Sequence, residues 1–461
     1  MATLARTAGA LGLLSLTLPV DTALTGLALG VRTLRGTRTD RPSAPPTTAP
    51  PTTASPTAAA RRRTVLLSGG KMTKALVLAR AFHAAGHRVV LVESARYRLT
   101  GHRFSRAVEA FHVVPDAADP GYGEAILAVV EAEGVDVWVP VASPVASAHD
   151  ADVKVLLRER LGERCEVVHL DPDDLERVDD KHRFAEAAVA LGLAVPDTHR
   201  ITEAQQVLDF DFSTATRPYI LKSILYDPVQ RLDLTRLPRP TREETERYVR
   251  SLPISPEQPF VLTEFVTGTE YCTHGTVREG RLSVFICCRS SAWQLTYEQV
   301  EHPGVRAWVE RFVAEGELTG QLSFDLIEDD RGVVHGIECN PRTHSAITLL
   351  AGHPALAGAY LDDVEESVPV LEPPLGGRPT RWTYHELWQL LRHARDPVRR
   401  REHLRVLLGG TDAVFSVDDP WPFWMLHHVH VPSLLLANAV RLRPWLKIDL
   451  NIGKLVEPAG D

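Results

Sequence analysis

The sequence lacks the patterns that most often mark a metal centre or a dinucleotide cofactor. It has five cysteines but neither a Cys-x-x-Cys pair nor a Cys/His cluster with the spacing of a zinc site. It also lacks the G-x-G-x-x-G fingerprint and the Walker spacing of P-loop proteins. Four of the cysteines lie in apolar or β-like stretches, which predicts buried free thiols and a reducing compartment.

The chain also lacks the positive charge that a nucleic-acid-binding surface needs. Its formal net charge at pH 7 is −8. Residues 1–63 carry eight arginines and two aspartates, a charge of +6, which leaves −14 for the remainder. Because binding to nucleic acid requires a basic face that displaces counterions, this balance predicts no nucleic-acid partner.

The first 35 residues form an apolar segment. Its stretch 8–31 is about long enough to span a bilayer, although Pro19 and Asp21 in the middle weaken that interpretation. A membrane anchor, a signal-like segment and an amphipathic helix lying on a membrane or on the protein body all stay open. The free thiols favour a cytoplasmic location, with or without membrane association through residues 8–31.

Composition and periodicity divide the rest of the chain into four parts. Residues 36–63 are rich in Pro, Thr, Ala and Arg and predict a disordered linker. Apolar strands alternate with helical stretches over 64–178, which predicts an α/β domain with a doubly wound parallel sheet. Residues 179–355 read as hairpins and helices of the α+β class, and 356–461 as a mainly helical region without an assignable motif. The oligomeric state is left open.

The strongest chemical signal lies at residues 320–345, where two β segments flank an acidic turn. Glu338 and Asn340 are two residues apart, so a strand places both side chains on one face and Cys339 on the other, in the core. Asp325 on the partner strand can join them, and three such oxygen ligands suit Mg²⁺. Arg342 offers a planar donor fork for phosphate oxygens. The ordinary alternative is a solvated strand face.

Three weaker signals precede this hairpin. Lys222 ends an apolar strand and Lys181 opens a helix, so each can reach a phosphate or can simply be a surface or capping residue. The third is the stretch Thr263, Glu264, Phe265 and Val266, followed by Glu270. An edge backbone there can pair with adenine and Glu270 can accept ribose hydroxyls, unless the stretch is an ordinary strand and turn.

In this order, the motifs resemble the ATP-grasp superfamily throughout 179–345. The resemblance implies two α+β lobes that grip ATP behind an N-terminal pre-ATP-grasp domain, which residues 64–178 match. It also implies roles for particular residues: phosphate contacts for Lys181 and Lys222, an adenine hinge for Thr263 to Val266, a ribose contact for Glu270, ligation of two Mg²⁺ by Asp325, Glu338 and Asn340, and steadying of the transferred phosphoryl group by Arg342. One departure is that LKSILYDPVQRLDLTRLPRP contains no glycine, whereas many of these enzymes have a glycine-rich loop there.

A closer resemblance is to the mycosporine-glycine synthetases of mycosporine-like amino acid (sunscreen) biosynthesis, a secondary metabolism. It rests on LLSGGKMTKALVLARAFHAAGHRVVLVE, GHRFSRAV, VPVASPVAS, ECNPRTHSAITLL and KIDLNIGKLVE. This resemblance implies a ligase that uses MgATP to join an amino acid, glycine, to the small-molecule acceptor 4-deoxygadusol. The enol of such a 1,3-diketone is a vinylogous carboxylic acid, so its oxygen can be phosphorylated and then displaced by the amine.

Two alternatives stay open for the reaction. A peptide or carboxylate–amine ligase would use an ordinary carboxylate through an acyl phosphate. A nucleotide-cofactor oxidoreductase would use the Gly-Gly turn after the first strand, with Glu93 facing a ribose, although the full fingerprint is missing. The turn Ser68–Lys74 can hold an anion or be a tight turn only, and residues 142–147 with His344-Ser345 are candidates for the acceptor pocket.

Overall fold

The structure is a computed structural model that describes residues 2–39, 61–141, 143, 145–225, 233–290, 296–362 and 368–457. Most of the predicted linker 36–63 and residues 226–232 of the loop after Lys222 therefore lie outside the described residues. The helices are α1 (Ala2–Thr39), α2 (Thr73–Ala84), α3 (Tyr122–Glu133), α4 (Ser147–Leu161), α5 (Pro172–Asp179), α6 (Lys181–Ala190), α7 (Ala204–Leu208), α8 (Arg242–Ser251), α9 (Pro303–Glu315), α10 (Leu356–Leu361), α11 (Thr383–Arg392), α12 (Pro397–Gly409), α13 (Trp421–Met425) and α14 (Val431–Val440).

The strands form five sheets within these residues. They are β1 (Thr64–Leu67), β2 (Arg88–Ser94), β3 (Ala110–Val114), β4 (Val137–Val139), β5 (Glu166–Val167), β6 (Thr198–Ile201), β7 (Tyr219–Ser223), β8 (Phe260–Glu264), β9 (Gly268–Arg278), β10 (Arg281–Arg289), β11 (Gly320–Asp329), β12 (Val334–Asn340), β13 (Thr380–Arg381), β14 (Thr411–Asp412), β15 (Lys447–Asp449) and β16 (Lys454–Val456). The domain boundaries expected from the sequence stay predictions.

The N-terminal sheet is parallel and runs in the order β3-β2-β1-β4-β5. Its strands are apolar on both faces, as a sheet covered on both sides requires. Val65 and Leu67 pack in one apolar cluster with α2, whereas Leu66 packs in another with α3 and α4. Helices therefore cover both faces, and the predicted doubly wound α/β domain is confirmed.

Two antiparallel sheets follow. The smaller has the order β6-β8-β7, and the larger has the order β10-β9-β11-β12. Hairpin turns join β9 to β10 at Glu279-Gly280 and β11 to β12 at Gly332, where both glycines have positive φ. The sequence predicted hairpins over 179–355, including the one with an acidic turn within 320–345.

One aromatic cluster holds the larger sheet against α6 and α9. Phe184, Trp308, Phe312 and Phe324 have ring centroids 5.3–6.3 Å apart. A side chain at Gly336 on β12 would come within 2.4 Å of the Trp308 ring, so glycine is needed for this close packing. Burial of each aromatic ring contributes roughly 1.5–3 kcal/mol, which makes β11 and β12 a rigid support.

The C-terminal region contains helices α10 to α14 and short strands, and it returns to the N-terminal domain. The backbone N–H of Thr73 donates to Asn451 O at 2.9 Å, and Asn451 Nδ2 donates to Ser345 Oγ at 2.7 Å. Helix α1 lies along α13 and α14, with Trp424 Nε1 donating to Thr22 Oγ1 at 3.0 Å. Residues from the end of the chain thus connect the first strand-to-helix turn to the segment that follows β12.

Candidate active site

A cavity of about 760 Å³ lies between the two antiparallel sheets. It brings together all eleven residues for which the sequence predicted a role: Lys181, Lys222, Thr263, Glu264, Phe265, Val266, Glu270, Asp325, Glu338, Asn340 and Arg342. These residues come from four segments separated in sequence, so the fold is what unites them. What each of them binds stays a prediction.

The acidic end of the cavity is built by the register of β11 and β12. Asp325 pairs with Glu338, and Ser323 pairs with Asn340, so the three predicted metal ligands lie on one face. Asn340 Nδ2 donates to Asp325 Oδ2 at 3.2 Å and lies 3.4 Å from Glu338 Oε1. Cys339 is buried in the aromatic core on the opposite face, as the alternation of strand side chains predicts.

The two carboxyl groups influence each other strongly. Burial and the adjacent Glu338 raise the pKa of Asp325 well above its usual value. Burial opposes ionisation of Glu338 as well, but Lys181, whose Nζ is 3.3 Å from Glu338 Oε2, and Arg342 hold the pKa of Glu338 below its usual value. Two adjacent carboxyl groups with an amide beside them form an oxygen-rich donor set that suits a hard divalent cation such as Mg²⁺.

Arg342 follows β12 and turns back toward this acidic end. Its guanidinium donates to Asn340 Oδ1, and its backbone N–H donates to Asn340 O at 2.8 Å. Burial lowers the pKa of Arg342, against the opposing effect of Asp179, Glu338 and Asp325. An arginine held in this way presents a fixed charge to the cavity beside the three oxygen-bearing side chains.

The two predicted phosphate-contacting lysines reach the cavity from different elements. Lys181 is the first residue of α6, and the helix is capped by Asp180, whose side chain accepts from the N–H groups of His182 and Arg183. Lys222 lies on β7, and its Nζ donates to Asp233 O at 2.9 Å. Burial lowers the pKa of Lys222, against the effects of Glu338 and Asp233.

The predicted adenine hinge differs from expectation in one respect. The sequence predicted an edge backbone, but β8 is the central strand of its sheet, paired with β6 and β7 on either side. The N–H of Glu264 donates to Asp197 O at 2.9 Å and that of Phe265 to Pro218 O at 2.7 Å, so these two donors are already used. The prediction of an edge strand is therefore wrong. An apolar stretch of sequence does not reveal that strands will pair with it on both sides. The cavity-lining backbone beyond the end of β8 begins at Phe265 and Val266.

Glu264 and Glu270 occupy different settings. The Glu264 side chain accepts from Thr216 Oγ1 at 3.3 Å and lies 3.6 Å from Arg217 Nη1. Glu270 lies on β9 at the cavity wall and is exposed. An exposed carboxylate at the rim can accept hydrogen bonds from a sugar, whereas Glu264 already serves the fold.

Lys74 is a residue whose connection to this site the sequence did not predict. It lies on α2 of the N-terminal domain and is buried, and its Nζ donates to Thr343 O at 2.6 Å, between Arg342 and His344. Burial, Arg342 and Lys71 together lower the pKa of Lys74 to about 7. The sequence showed only a lysine near a Gly-Gly turn, and a bond spanning 269 residues leaves no local signal.

The features behind the oxidoreductase alternative have a structural explanation. Glu93 Oε2 accepts from the backbone N–H of Lys71 at 2.9 Å, and Glu93 Oε1 accepts from the N–H of Ser94 at 2.8 Å. This buried carboxylate holds the first strand-to-helix turn together, and nothing supports its contact with a ribose. Of the acceptor-pocket candidates, His344 lines the cavity, whereas Ala142 and Pro144 lie outside the described residues.

Two antiparallel sheets with flanking helices enclose a cavity and follow a doubly wound α/β domain. This arrangement is the ATP-grasp fold. Similar solved structures include N5-carboxyaminoimidazole ribonucleotide synthetase in complex with ADP, with a TM-score of 0.53 and 14% identity over 72% of this chain and 85% of that one. Biotin carboxylase from Campylobacter jejuni, in complex with an ATP analogue, has a TM-score of 0.53 and 13% identity over 67% and 74%. The predicted fold class is confirmed.

Sequence comparison gives a match to less than half of the chain. No protein-family model matches the chain. The carbamoyl phosphate synthase large chain (C-terminal section) of Methanopyrus kandleri is 24% identical over 249 residues, which are 46% of this chain and 43% of that protein. The chain thus spans less than half the length of this curated relative. These comparisons show neither the finer resemblance to mycosporine-glycine synthetases nor any support for the oxidoreductase alternative.

Proposed function

We propose that the protein is an ATP-dependent carbon–nitrogen ligase that phosphorylates an oxygen of a small acceptor and joins an amino acid to the activated carbon. One observation carries the proposal. In the same cavity, the carboxyl groups of Asp325 and Glu338 and the amide of Asn340 lie near three basic side chains, those of Lys181, Lys222 and Arg342. Such an arrangement neutralises a polyphosphate and its metal ions, as phosphoryl transfer requires.

The proposed ATP site runs along the cavity from β8 to β12. The backbone at Val266 faces the base, Glu270 accepts from the ribose, and Lys181 and Lys222 contact the phosphates. The similarity in fold to structures that hold ADP or ATP supports a nucleotide site in this cavity. A cytoplasmic location fits both the ATP requirement and the burial of all five cysteines as free thiols.

Asp325, Glu338 and Asn340 would hold Mg²⁺ against the phosphate oxygens. The metal, when bound, supplies charge neutralisation at the transferred phosphoryl group. Lys181 then holds Glu338 in its ionised form, and Arg342 fixes the orientation of Asn340 while presenting its remaining donors to the cavity. Catalysis rests on positioning and charge, so none of the buried cysteines acts as a nucleophile.

For the substrates, we propose glycine and 4-deoxygadusol, which together give mycosporine-glycine. The enol oxygen of the acceptor attacks the γ-phosphorus, and the bond from that phosphorus to ADP breaks. The glycine nitrogen then adds to the activated ring carbon, the carbon–oxygen bond breaks, inorganic phosphate leaves and the amine loses a proton. Two points support this proposal. The sequence motifs resemble those of mycosporine-glycine synthetases, and this enol is chemically equivalent to a carboxylic acid.

The test is an assay of the full chain with MgATP, glycine and 4-deoxygadusol. We expect ADP, phosphate and a new ultraviolet-absorbing adduct in equal amounts. An acceptor labelled with ¹⁸O at the reacting oxygen should transfer the label to phosphate, because that oxygen leaves with the phosphoryl group. ADP formation only with a plain carboxylic acid would favour the peptide or carboxylate–amine ligase, and no acceptor-dependent ADP would overturn the ligase proposal.

A further inference from the structure

Helix α1 departs from the usual polarity of a surface helix. A helix on a water-soluble protein turns its apolar stripe inward and its polar stripe outward. In α1 the buried face is mixed: Thr7, Asp21 and Thr25 are each less than 7% exposed, and Leu14 and Ala28 are buried beside them. Leu16, Val20, Leu27 and Leu34 point outward and are 66–76% exposed. These two sets lie on opposite faces of a helix with 3.6 residues per turn.

The inward stripe is fixed to the body by specific hydrogen bonds. Asp21 Oδ2 is 2.8 Å from His428 Nε2 and also accepts from Tyr384, and Trp445 Nε1 donates to Thr7 Oγ1 at 3.0 Å. The Arg6 guanidinium lies 4.4 Å from the centroid of the Trp445 ring. The exposed leucines are therefore the consequence of an orientation that is set along most of the helix.

These bonds also argue against a spanning helix. The segment Thr3–Arg35 is long and apolar enough to cross a membrane by length and composition. However, Asp21 at its midpoint is bonded to α11 and to the turn that precedes α14. A crossing would break those bonds or bring the buried carboxylate and the attached helices into the hydrocarbon, which is costly.

The surroundings of the outward stripe extend its apolar surface and add positive charge. On the adjacent α14, Leu436 and Val440 are one turn apart and are 53% and 85% exposed. Exposed arginines follow at both ends, Arg32 on α1 and Arg441 and Arg443 after α14. These lie in a chain whose net charge is −8, so the positive charge is local.

We propose that this face, defined by Leu16, Val20, Leu27 and Leu34 of α1 with Leu436 and Val440 of α14, rests on an anionic lipid surface. The apolar side chains enter the boundary between headgroups and acyl chains, and the arginines contact the lipid phosphates. Exposed apolar surface on two helices in contact marks an interaction site, and the basic rim selects a negatively charged lipid surface as its partner. The helix lies on the bilayer and does not cross it.

The test is cosedimentation of the full chain with vesicles of phosphatidylcholine, with and without phosphatidylglycerol. We expect binding to the mixed vesicles, weakening with salt, and a loss of about 10-fold or more in the variant Leu16→Glu, Val20→Glu, Leu27→Glu. The matched control carries Val113→Glu, Val189→Glu and Leu375→Glu, at positions that are exposed outside α1 and α14. It should bind like the wild type, and both variants should keep the wild-type far-ultraviolet circular dichroism.

Three outcomes would overturn this proposal. The wild type could fail to bind mixed vesicles, or the α1 variant could bind as well as the control. Light scattering without lipid could instead show a wild-type dimer that the α1 variant loses, which would make a second copy the occupant. ATP-dependent turnover of the α1 variant in solution is expected to equal that of the wild type, so the lipid proposal can fail independently of the ligase proposal.

Discussion

The two ends of the β11–β12 hairpin hold acids in opposite electrostatic settings. At the turn end, burial alone would raise the pKa of Asp329, yet hydrogen bonds from Val333 N–H, His335, Arg217 and Arg331 hold it well below its usual value. Arg217 Nη2 is 2.7 Å and His335 Nε2 is 3.1 Å from Asp329 Oδ2. This carboxylate is fully paired by the fold itself.

The open end, formed by Asp325, Glu338 and Asn340, is different. There a carboxyl group faces another carboxyl group, and the pKa of Asp325 is raised by burial and by Glu338. An added cation would relieve this repulsion, whereas at Asp329 it would only compete with arginine. The comparison teaches how two acids on the same hairpin differ. An acid whose oxygens already accept hydrogen bonds from several donors is structural, whereas an acid that faces another acid is a candidate metal ligand.

The largest effect should come from Glu338→Ala at the open end. Removing a proposed metal-binding carboxylate should lower kcat for MgATP-dependent turnover by about 1,000-fold or more. The Tm should stay within a few degrees, because the replacement removes the repulsion with Asp325 together with the ion pair to Lys181. Steady-state ADP release and calorimetry would measure both quantities. Asp330→Ala, in the exposed turn, is the matched control, and wild-type turnover in Glu338→Ala would refute the metal assignment. Asn340→Ala should behave like Glu338→Ala.

The next effect should come from Arg342→Lys. Lysine keeps the charge but loses the planar fork that contacts Asn340 Oδ1, so kcat should fall by about 100-fold with little change in the KM for ATP. Single-turnover kinetics of ADP formation would measure the chemical step directly. Arg331→Lys at the turn end, where the arginine is largely exposed, should leave kcat unchanged. Equal losses of kcat in Arg342→Lys and Arg331→Lys would contradict the assignment of the open end, and not the turn end, to catalysis.

Asp329→Ala should affect stability and spare chemistry. The replacement leaves Arg217 and His335 without their shared carboxylate, so the Tm should fall by several degrees. The kcat per folded molecule should stay within about 2-fold of wild type, because Asp329 lies at the far end of the hairpin from Asp325, Glu338 and Asn340. Thermal scans and active-site titration would test this. A large loss of kcat with an unchanged Tm would contradict the assignment of the turn end as structural.

Lys74→Met removes the bond to Thr343 O and should lower kcat about 10-fold, less than the replacements of Glu338 and Arg342. Folded Lys74 has a pKa of about 7, against about 10.4 when unfolded, so the unfolded state binds more protons between these values. This contribution to stability therefore rises with pH over that window. Arg342, Lys71, His274 and His344 surround the same point. Denaturant unfolding at pH 7 and pH 9.5 should show a smaller rise in the variant than in the wild type.

The sequence predicted the parts of this site that depend on local periodicity. The face shared by Glu338 and Asn340, the burial of Cys339 and the start of α6 at Lys181 follow from alternation along a strand and from capping by Asp180. The ATP-grasp fold followed from the order of such local motifs. Each of these features is encoded within a few neighbouring residues.

Features that depend on distant partners were missed or wrong. The central position of β8 is set by β6 and β7, which lie on either side of it only after folding. The bond from Lys74 to Thr343 and the contacts of Asn451 join segments hundreds of residues apart. The orientation of α1 likewise depends on His428 and Tyr384, so its length and hydropathy alone left three interpretations open.

The contacts of Asn451 have a consequence for the order of events during synthesis. The turn before α2 is made early by the ribosome, yet Thr73 N–H and Ser345 Oγ meet their common partner only when residue 451 has been translated. A nascent chain can form its parallel sheet long before that point, but the two hydrogen bonds of Asn451 must form later. Full catalytic competence should therefore appear only after residue 451 has left the ribosome, and a nascent chain arrested before residue 445 should hold its sheet without an assembled segment 341–345.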